Sequence, residues 1–212
     1  DLSFSMNSLV KGDRLADAIR SKIGTDLIED LPVKFTAVAA DIAAEKEHWF
    51  QSGPVDQAIR ASVSLPLFFT PHTVDGVQLI DGGILNPTPI EPTLADDTDL
   101  TVAVDLGGPM MKQVIPEPEK AQSPWHQKMD DFLESMKFSE SKPKDQWDMF
   151  YIADQSFNTM QNAIARERMA DNPPDHLIAV PRNKCGTLEF DRSAEMVEYG
   201  YQLAEKQLSG KI

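Results

Sequence analysis

Short apolar runs of strand length alternate with amphipathic helical patterns along this chain, and this alternation limits which folds it can adopt. Apolar residues recur at helical spacing over 12–23 and again after Pro54, whereas 33–42 and 100–106 are apolar runs typical of strands. The run 100–106 is rich in β-branched residues and is predicted to be a buried strand. The alternation indicates the α/β class, and 212 residues are enough for one ordinary domain.

Turn-forming residues mark where these elements end. The Asp75-Gly76 dipeptide predicts a tight hairpin, and the strand that returns from it, 78–81, stops at Gly82-Gly83. The segment 109–148 has a different texture, rich in Pro, Lys, Glu and Ser. We interpret 109–148 as an inserted or mobile, lid-like segment.

Charge and cysteine content exclude several classes of function. The formal net charge is −14, so the long-range field repels phosphate backbones and anionic membranes, and nucleic-acid binding is nearly excluded. The single cysteine, Cys185, excludes an internal disulfide framework, and four scattered histidines form no zinc-binding pattern. These features favour a reducing compartment, and we expect a cytoplasmic protein.

The Asp81-Gly82-Gly83 tripeptide is the strongest candidate for chemistry. It places a carboxylate at the end of an apolar strand, on a backbone that can turn sharply and approach a ligand closely. Such a carboxylate can accept a proton from a nucleophile across a cleft. The structural alternative is a turn in which the carboxylate accepts a hydrogen bond from its own downstream backbone.

The surroundings of this tripeptide carry a resemblance. An Ala-Ser-x-Ser-Leu-Pro-x-x-Phe stretch at 61–69, the Asp-Gly hairpin, Asp-Gly-Gly and an Asn-Pro-x-Pro connection at 86–89 follow one another. In this combination the chain resembles the patatin-like phospholipase family, particularly its bacterial members. Asp41 after its strand and the late strand at 175–178 are similar to the family as well.

The resemblance implies a three-layer α/β/α fold and a serine lipid acyl hydrolase that uses a Ser-Asp dyad. Asp81 matches the dyad aspartate, and Gly82 and Gly83 let it lie close to the nucleophile. The implied substrate is a lipid or other acyl ester, and no metal or organic cofactor is implied. Apolar residues after the second serine are candidate acyl-pocket walls: Leu65, Leu67, Phe68 and Phe69.

The chain also departs from the family pattern. None of its fourteen serines has a glycine two residues before it, so none fits the family's G-x-S-x-G nucleophile turn, and the glycine-rich oxyanion turn has no match either. We therefore expect 1–108 and 149–212 to be the C-terminal part of a catalytic domain that lacks its first strand and the centre of its parallel sheet. Such a fragment is expected to be inactive and to pair with the missing segment or with a second copy of the chain.

Two other functions remain open at this point. The scaffold could serve as a non-catalytic lipid-binding or regulatory domain, or Asp-Gly-Gly could be only a turn in an interaction protein, with Asp81 facing solvent. Ser62 and Ser64 are interpreted as satisfying backbone groups at a helix end. A Met-rich, aromatic stripe over 125–136 could make weak contact with a membrane surface, although packing on the body is the favoured interpretation.

Overall fold

The computed structural model describes residues 13–66, 69–111, 149–186 and 189–209. The chain divides into two compact units, one made of Asp1–Ala103 with Phe157–Asp175 and the other of Val104–Ser156 with His176–Ile212. Most of the predicted insertion, 112–148, lies outside the described residues, and so do Leu67 and Phe68. The mixture of helices and strands confirms the predicted α/β class.

The first unit is built on a four-stranded sheet in the order β2-β1-β4-β3. Its strands are β1 (Ala37–Asp41), β2 (Lys46–Phe50), β3 (His72–Val74) and β4 (Val77–Asp81). Every neighbouring pair in this sheet is antiparallel. The connections β1–β2 and β3–β4 are too short for a crossover and permit only hairpins, as the Asp75-Gly76 dipeptide predicts for β3–β4.

The helices of this unit begin and end close to where the sequence predicts. Helix α1 spans Asp13–Ile23, and α2 spans Val55–Ser62 directly after Pro54, which is favoured at a helix start. The long helix α3, Met149–Asp171, contributes its C-terminal part to this unit. In the β3–β4 hairpin both turn residues, Asp75 and Gly76, have positive φ, as the Asp-Gly dipeptide predicts.

The core of the unit lies between α2 and one face of the sheet. Its members are small or aliphatic residues of α2, the strands and the 3-10 helix Ile28–Asp30, with one aromatic ring: Ile28, Ala37, Ala39, Phe50, Val55, Ala58, Ala61 and Leu79. Ala39, Ala58 and Ala61 are fully buried, which lets the helix lie close to the sheet. Val38, Ala40 and Ile80 are buried too, so β1 is covered on both faces, as its uninterrupted apolar pattern predicts.

The second unit contains a two-stranded sheet of β5 (Val102–Gly108) and β6 (His176–Pro181), and helix α4 (Ser193–Leu208). The prediction that β5 is a buried strand is wrong, because Val104 and Leu106 are 53% and 69% exposed. Successive side chains of a strand point to opposite faces. Ala103 is buried and its neighbour Val104 is exposed, so only one face of this strand is covered at that point. Within the described residues, every helix is too short or too polar to cross a bilayer.

The end of β4 approaches β1 so closely that only glycine fits there. A Cβ atom on Gly82 would stand 2.2 Å from the carbonyl oxygen of Val38. Both groups belong to the backbone of the sheet, so neither can move without disturbing the strand pairing. The first glycine after Asp81 is therefore required by packing, whatever its neighbours do.

This close approach predicts that Gly82→Ala destabilises the protein by about 1–3 kcal/mol, the usual cost of forcing extra volume into a filled space. Gly200 in α4 is the matched control, because nothing lies within 4 Å of a Cβ built on it. Gly200→Ala is expected to stabilise the protein by about 0.5–1 kcal/mol through its helix propensity. Urea unfolding of both variants measures the difference, and equal stabilities would contradict the packing argument.

Candidate active site

Asp81 is the last residue of β4, and the backbone around it fixes its position from both sides. It lies opposite Ala39 of β1, and its N–H donates a hydrogen bond to the carbonyl oxygen of Ser64 at 3.0 Å. Its own carboxylate oxygen Oδ1 accepts a hydrogen bond from the N–H of Gly83 at 2.7 Å, at the start of a short 3-10 helix, Gly82–Ile84. The turn hydrogen bond that the sequence offered as an alternative is thus present, and it orients the carboxylate.

Burial gives this carboxylate the character of a base. The Asp81 side chain is half-buried, and loss of solvation raises its pKa above the usual aspartate value, while the Gly83 N–H opposes that rise only in part. Among the described residues, Oδ2 of Asp81 has no hydrogen-bond partner. A carboxylate of this kind can take up a proton more readily than a solvated one. Asp81 is therefore less solvated than it would be in a simple surface turn.

Gly83 makes room for two polar groups. A Cβ atom at Gly83 would stand 2.8 Å from Nε2 of Gln161 on α3 and 2.9 Å from Oδ1 of Asp81. The backbone of β1 therefore requires the first glycine of the tripeptide, whereas a side chain at the second would have to displace the ends of the Gln161 and Asp81 side chains. Gln161 was not among the residues predicted from the sequence.

A buried arginine supports the loop that carries Ser64. Arg60 of α2 is only 5% exposed, and it donates to Oγ of Ser64 at 2.6 Å and to the carbonyl oxygen of Thr70 at 3.3 Å. Oγ of Ser64 in turn donates to the carbonyl oxygen of Arg60 at 2.8 Å. The structural interpretation of Ser64 is confirmed by these contacts, and its carbonyl oxygen is the group that receives the N–H of Asp81.

The predicted acyl-pocket walls are described only in part. Leu65 and Phe69 are half-buried, and the Phe69 ring lies 5.9 Å from the guanidinium carbon of Arg60, within cation–π range. Because Leu67 and Phe68 lie outside the described residues, the acyl pocket stays a prediction.

A polar network lies behind the Asp-Gly-Gly turn and joins it to α3. The buried Nδ2 of Asn86 donates to Oε2 of Glu47 at 3.1 Å and to Oε2 of Glu91 at 3.0 Å. Arg168 of α3 pairs with both carboxylates, at 2.5 Å to Glu47 and 2.9 Å to Glu91. The backbone N–H of Asn86 donates to the carbonyl oxygen of Gly82 at 2.9 Å. The asparagine of the Asn-Pro-x-Pro motif therefore anchors the turn to β2 and α3.

Two charged groups of this network, Glu91 and Arg168, have pKa values shifted toward their ionised forms. Burial alone would raise the pKa of Glu91, but hydrogen bonds from Asn86 and from its own backbone, together with Arg168, hold that pKa below the usual glutamate value. Burial likewise opposes the charge on Arg168, and the two carboxylates outweigh it and raise the arginine's pKa. Sequence reasoning missed this network because Glu91 and Arg168 are 77 positions apart and no local pattern links them.

Two histidines of the four-stranded sheet, His72 and His48, contact neighbouring side chains. A ring nitrogen of His72 hydrogen-bonds Oε1 of Gln57 at 2.6 Å, and burial followed by the charge of Arg60 lowers the pKa of His72. The His48 ring lies 4.4 Å from that of Phe50. Both contacts support the interpretation of these histidines as structural residues.

Comparison with known proteins agrees with this architecture. The profile of the patatin-like phospholipase family matches residues 1–94. An uncharacterized NTE family protein of Mycobacterium tuberculosis is 31% identical over an alignment 258 positions long, which covers 98% of this chain and 72% of the relative. A patatin-like phospholipase domain-containing protein 7 of Rattus norvegicus is 28% identical over 109 residues, covering 50% of this chain and 8% of the relative.

The mixed helices and strands are those of a patatin-like α/β protein, with an Asp-Gly-Gly turn at the end of a buried strand. This chain belongs to the patatin-like phospholipase family. The relative whose alignment covers 98% of this chain is an NTE family protein. Family membership indicates a lipid hydrolase, with lipids as its class of substrate.

The network behind the turn predicts a specific loss of stability when its cation is removed. Arg168→Met keeps the aliphatic stem but leaves Glu47 and Glu91 facing each other, which we expect to cost about 1–3 kcal/mol, between the values for exposed and fully buried ion pairs. Urea unfolding at neutral pH measures this cost. Arg166→Met on the same helix is the control, because Arg166 is exposed, and it is expected to change stability by less than about 0.5 kcal/mol.

The same variant has a pH signature with a definite sign. Because the pKa of Glu91 is depressed in the folded state, its contribution is fully present above the ordinary glutamate value of 4.5 and is lost as the pH falls below it. The stability gap between the wild type and Arg168→Met should therefore narrow below about pH 4.5. A gap that stays constant down to pH 3 would contradict the assignment.

Proposed function

We propose that this protein hydrolyses carboxylic ester bonds of phospholipids or related acyl lipids, with Asp81 as the base of a Ser-Asp dyad. The observation that carries the proposal is the state of Asp81. Its carboxylate is oriented by the Gly83 N–H, its pKa is raised by burial, and Oδ2 has no partner among the described residues. These are properties required of a group that must accept a proton and later return it.

The reaction would proceed in two halves. In the first, the serine hydroxyl oxygen attacks the ester carbonyl carbon while its proton passes to the carboxylate of Asp81, and a tetrahedral oxyanion forms. The oxyanion collapses, the bond to the alcohol oxygen breaks, and the alcohol leaves with the proton from Asp81. In the second half, water attacks the acyl-serine and gives its proton to Asp81, and the fatty acid leaves as the serine oxygen recovers that proton.

The serine of this dyad would come from outside these 212 residues. None of the fourteen serines here has the G-x-S-x-G setting, and Ser64, whose carbonyl oxygen accepts the Asp81 N–H, has its hydroxyl engaged by Arg60. A base without a nucleophile and without oxyanion donors supplies little rate, since those donors alone are worth about 10²- to 10³-fold. We therefore expect the 212 residues by themselves to be inactive as a hydrolase.

The test is Asp81→Asn in the full-length protein, with a p-nitrophenyl ester and a phospholipid as substrates. Loss of the general base should lower kcat by about 10²- to 10⁴-fold, with a smaller effect on KM. The matched control is Asp75→Asn, the same chemical change at an exposed turn where Asn-Gly is as favourable as Asp-Gly. Undiminished turnover in Asp81→Asn, or equal losses in both variants, would refute the dyad.

Stability of the same variant gives an independent readout. A carboxylate whose folded-state pKa is raised by burial opposes folding once the pH rises through that pKa, and asparagine removes the buried charge while keeping an acceptor for Gly83. Asp81→Asn should therefore unfold at a higher temperature than the wild type at pH 7. This result also shows that lost activity does not come from misfolding.

The non-catalytic alternative has its own outcome in these experiments. A full-length wild type that binds lipid vesicles without ester turnover, and that does not react with a fluorophosphonate probe for activated serines, would favour a lipid-binding or regulatory domain. Retained vesicle binding in Asp81→Asn together with lost turnover favours the hydrolase.

A further inference from the structure

One polar side chain near Asp81, that of Gln161, has no hydrogen-bond partner in the part of the chain that the structure describes. The position that a Cβ atom on Gly83 would take is 2.8 Å from Nε2 of Gln161 and 2.9 Å from Oδ1 of Asp81, so these two atoms are at most about 5.7 Å apart. Gln161 is half-buried, and its carboxamide makes no hydrogen bond within the described residues. An amide this close to a carboxylate is within reach of it through one bridging water, or directly after a small side-chain rotation.

The packing of α3 holds this amide in place. Gln161, Ala165 and Arg168 are spaced by four and three residues and so lie on one face of the helix. Ala165 is buried, and Arg168 is fixed by ion pairs to Glu47 and Glu91. The helix register that these contacts set brings the Gln161 side chain next to Gly83, where the absence of a Cβ atom leaves space for its amide.

We propose that Gln161 is a positioning residue for Asp81, whose carboxamide N–H donates to the Asp81 carboxylate, directly or through one water, and holds it in place for proton transfer. The inference rests on the proposed function of Asp81. The inference extends the site from the end of β4 to α3, which begins at Met149, and assigns a role to a residue outside the Asp-Gly-Gly tripeptide.

Charged groups on the neighbouring elements do not take over this role. Arg60 of α2 is directed to Ser64 and Thr70, and Arg168 of α3 is paired with Glu47 of β2 and Glu91. The pKa of Asp81 is accordingly governed by burial, opposed by the Gly83 N–H. A second donor from Gln161 would act in the same direction as Gly83.

The test combines two substitutions at Gln161 with the same two at Gln78. Gln161→Met removes the amide at nearly constant length, and Gln161→Glu replaces it with a negative charge. Gln78 is the control because it is exposed on β4, three residues before Asp81 and on the opposite face of the strand. All four variants are assayed in the full-length protein by ester hydrolysis across pH, with thermal unfolding to confirm that each is folded.

We expect the acid limb of kcat for Gln161→Met to move to higher pH, with about 3- to 10-fold lower kcat on that limb and unchanged KM, since a hydrogen bond to a charged group is lost. Gln161→Glu should move the limb further in the same direction, and the Gln78 variants should follow the wild type. A wild-type pH profile for Gln161→Met, or equal shifts at Gln161 and Gln78, would overturn the inference. Because Asp81→Asn is measured beside them, a failed dyad is recognised separately by its retained turnover.

Discussion

The contact between the backbone of Gly82 and the carbonyl group of Val38 fixes where β4 ends, and the site is built outward from that point. A side chain of any size at Gly82 would meet the backbone of β1 at 2.2 Å, so the chain must turn there without one. This turn directs the N–H of Gly83 to Oδ1 of Asp81. It also directs the carbonyl oxygen of Gly82 to the N–H of Asn86. One close backbone approach thus sets both the orientation of the carboxylate and the start of the supporting network.

Two networks of polar side chains fix the backbone segments before and after Asp81. Arg60 and Ser64 hold the loop whose carbonyl oxygen accepts the Asp81 N–H, and Asn86 links the turn to the ion pairs of Arg168. Buried charges contribute little net stability compared with apolar packing, so such assemblies are better understood as fixing geometry than as strengthening the fold. These contacts also give Ser64, which lies in the serine-containing stretch before Asp81, a structural role, because its hydroxyl accepts a hydrogen bond from Arg60.

The sequence was informative wherever the constraint is local. The helix after Pro54, the Asp75-Gly76 hairpin and the two-sided burial of β1 all follow from residues a few positions apart, and the structure has them. The sequence did not reveal the antiparallel pairing of β1 with β4 or the exposed valines of β5, because both depend on which distant segment lies alongside a strand. For the same reason a local motif makes Asp81 a candidate, whereas the position of Gln161 near it depends on the register of a helix far along the chain.

The electrostatic arrangement around Asp81 is consistent with the demands on a base. An arginine aimed at the carboxylate would favour its charged form strongly and make it a poor proton acceptor, whereas burial favours the protonated form. Here the nearby cations are engaged elsewhere, and burial opposed by the Gly83 N–H sets the pKa of Asp81. Neutral amide donors are well suited to such a site because they orient a carboxylate while lowering its proton affinity far less than a full positive charge does. A glutamine beside Asp81 satisfies that requirement, which a lysine or arginine at the same position would violate.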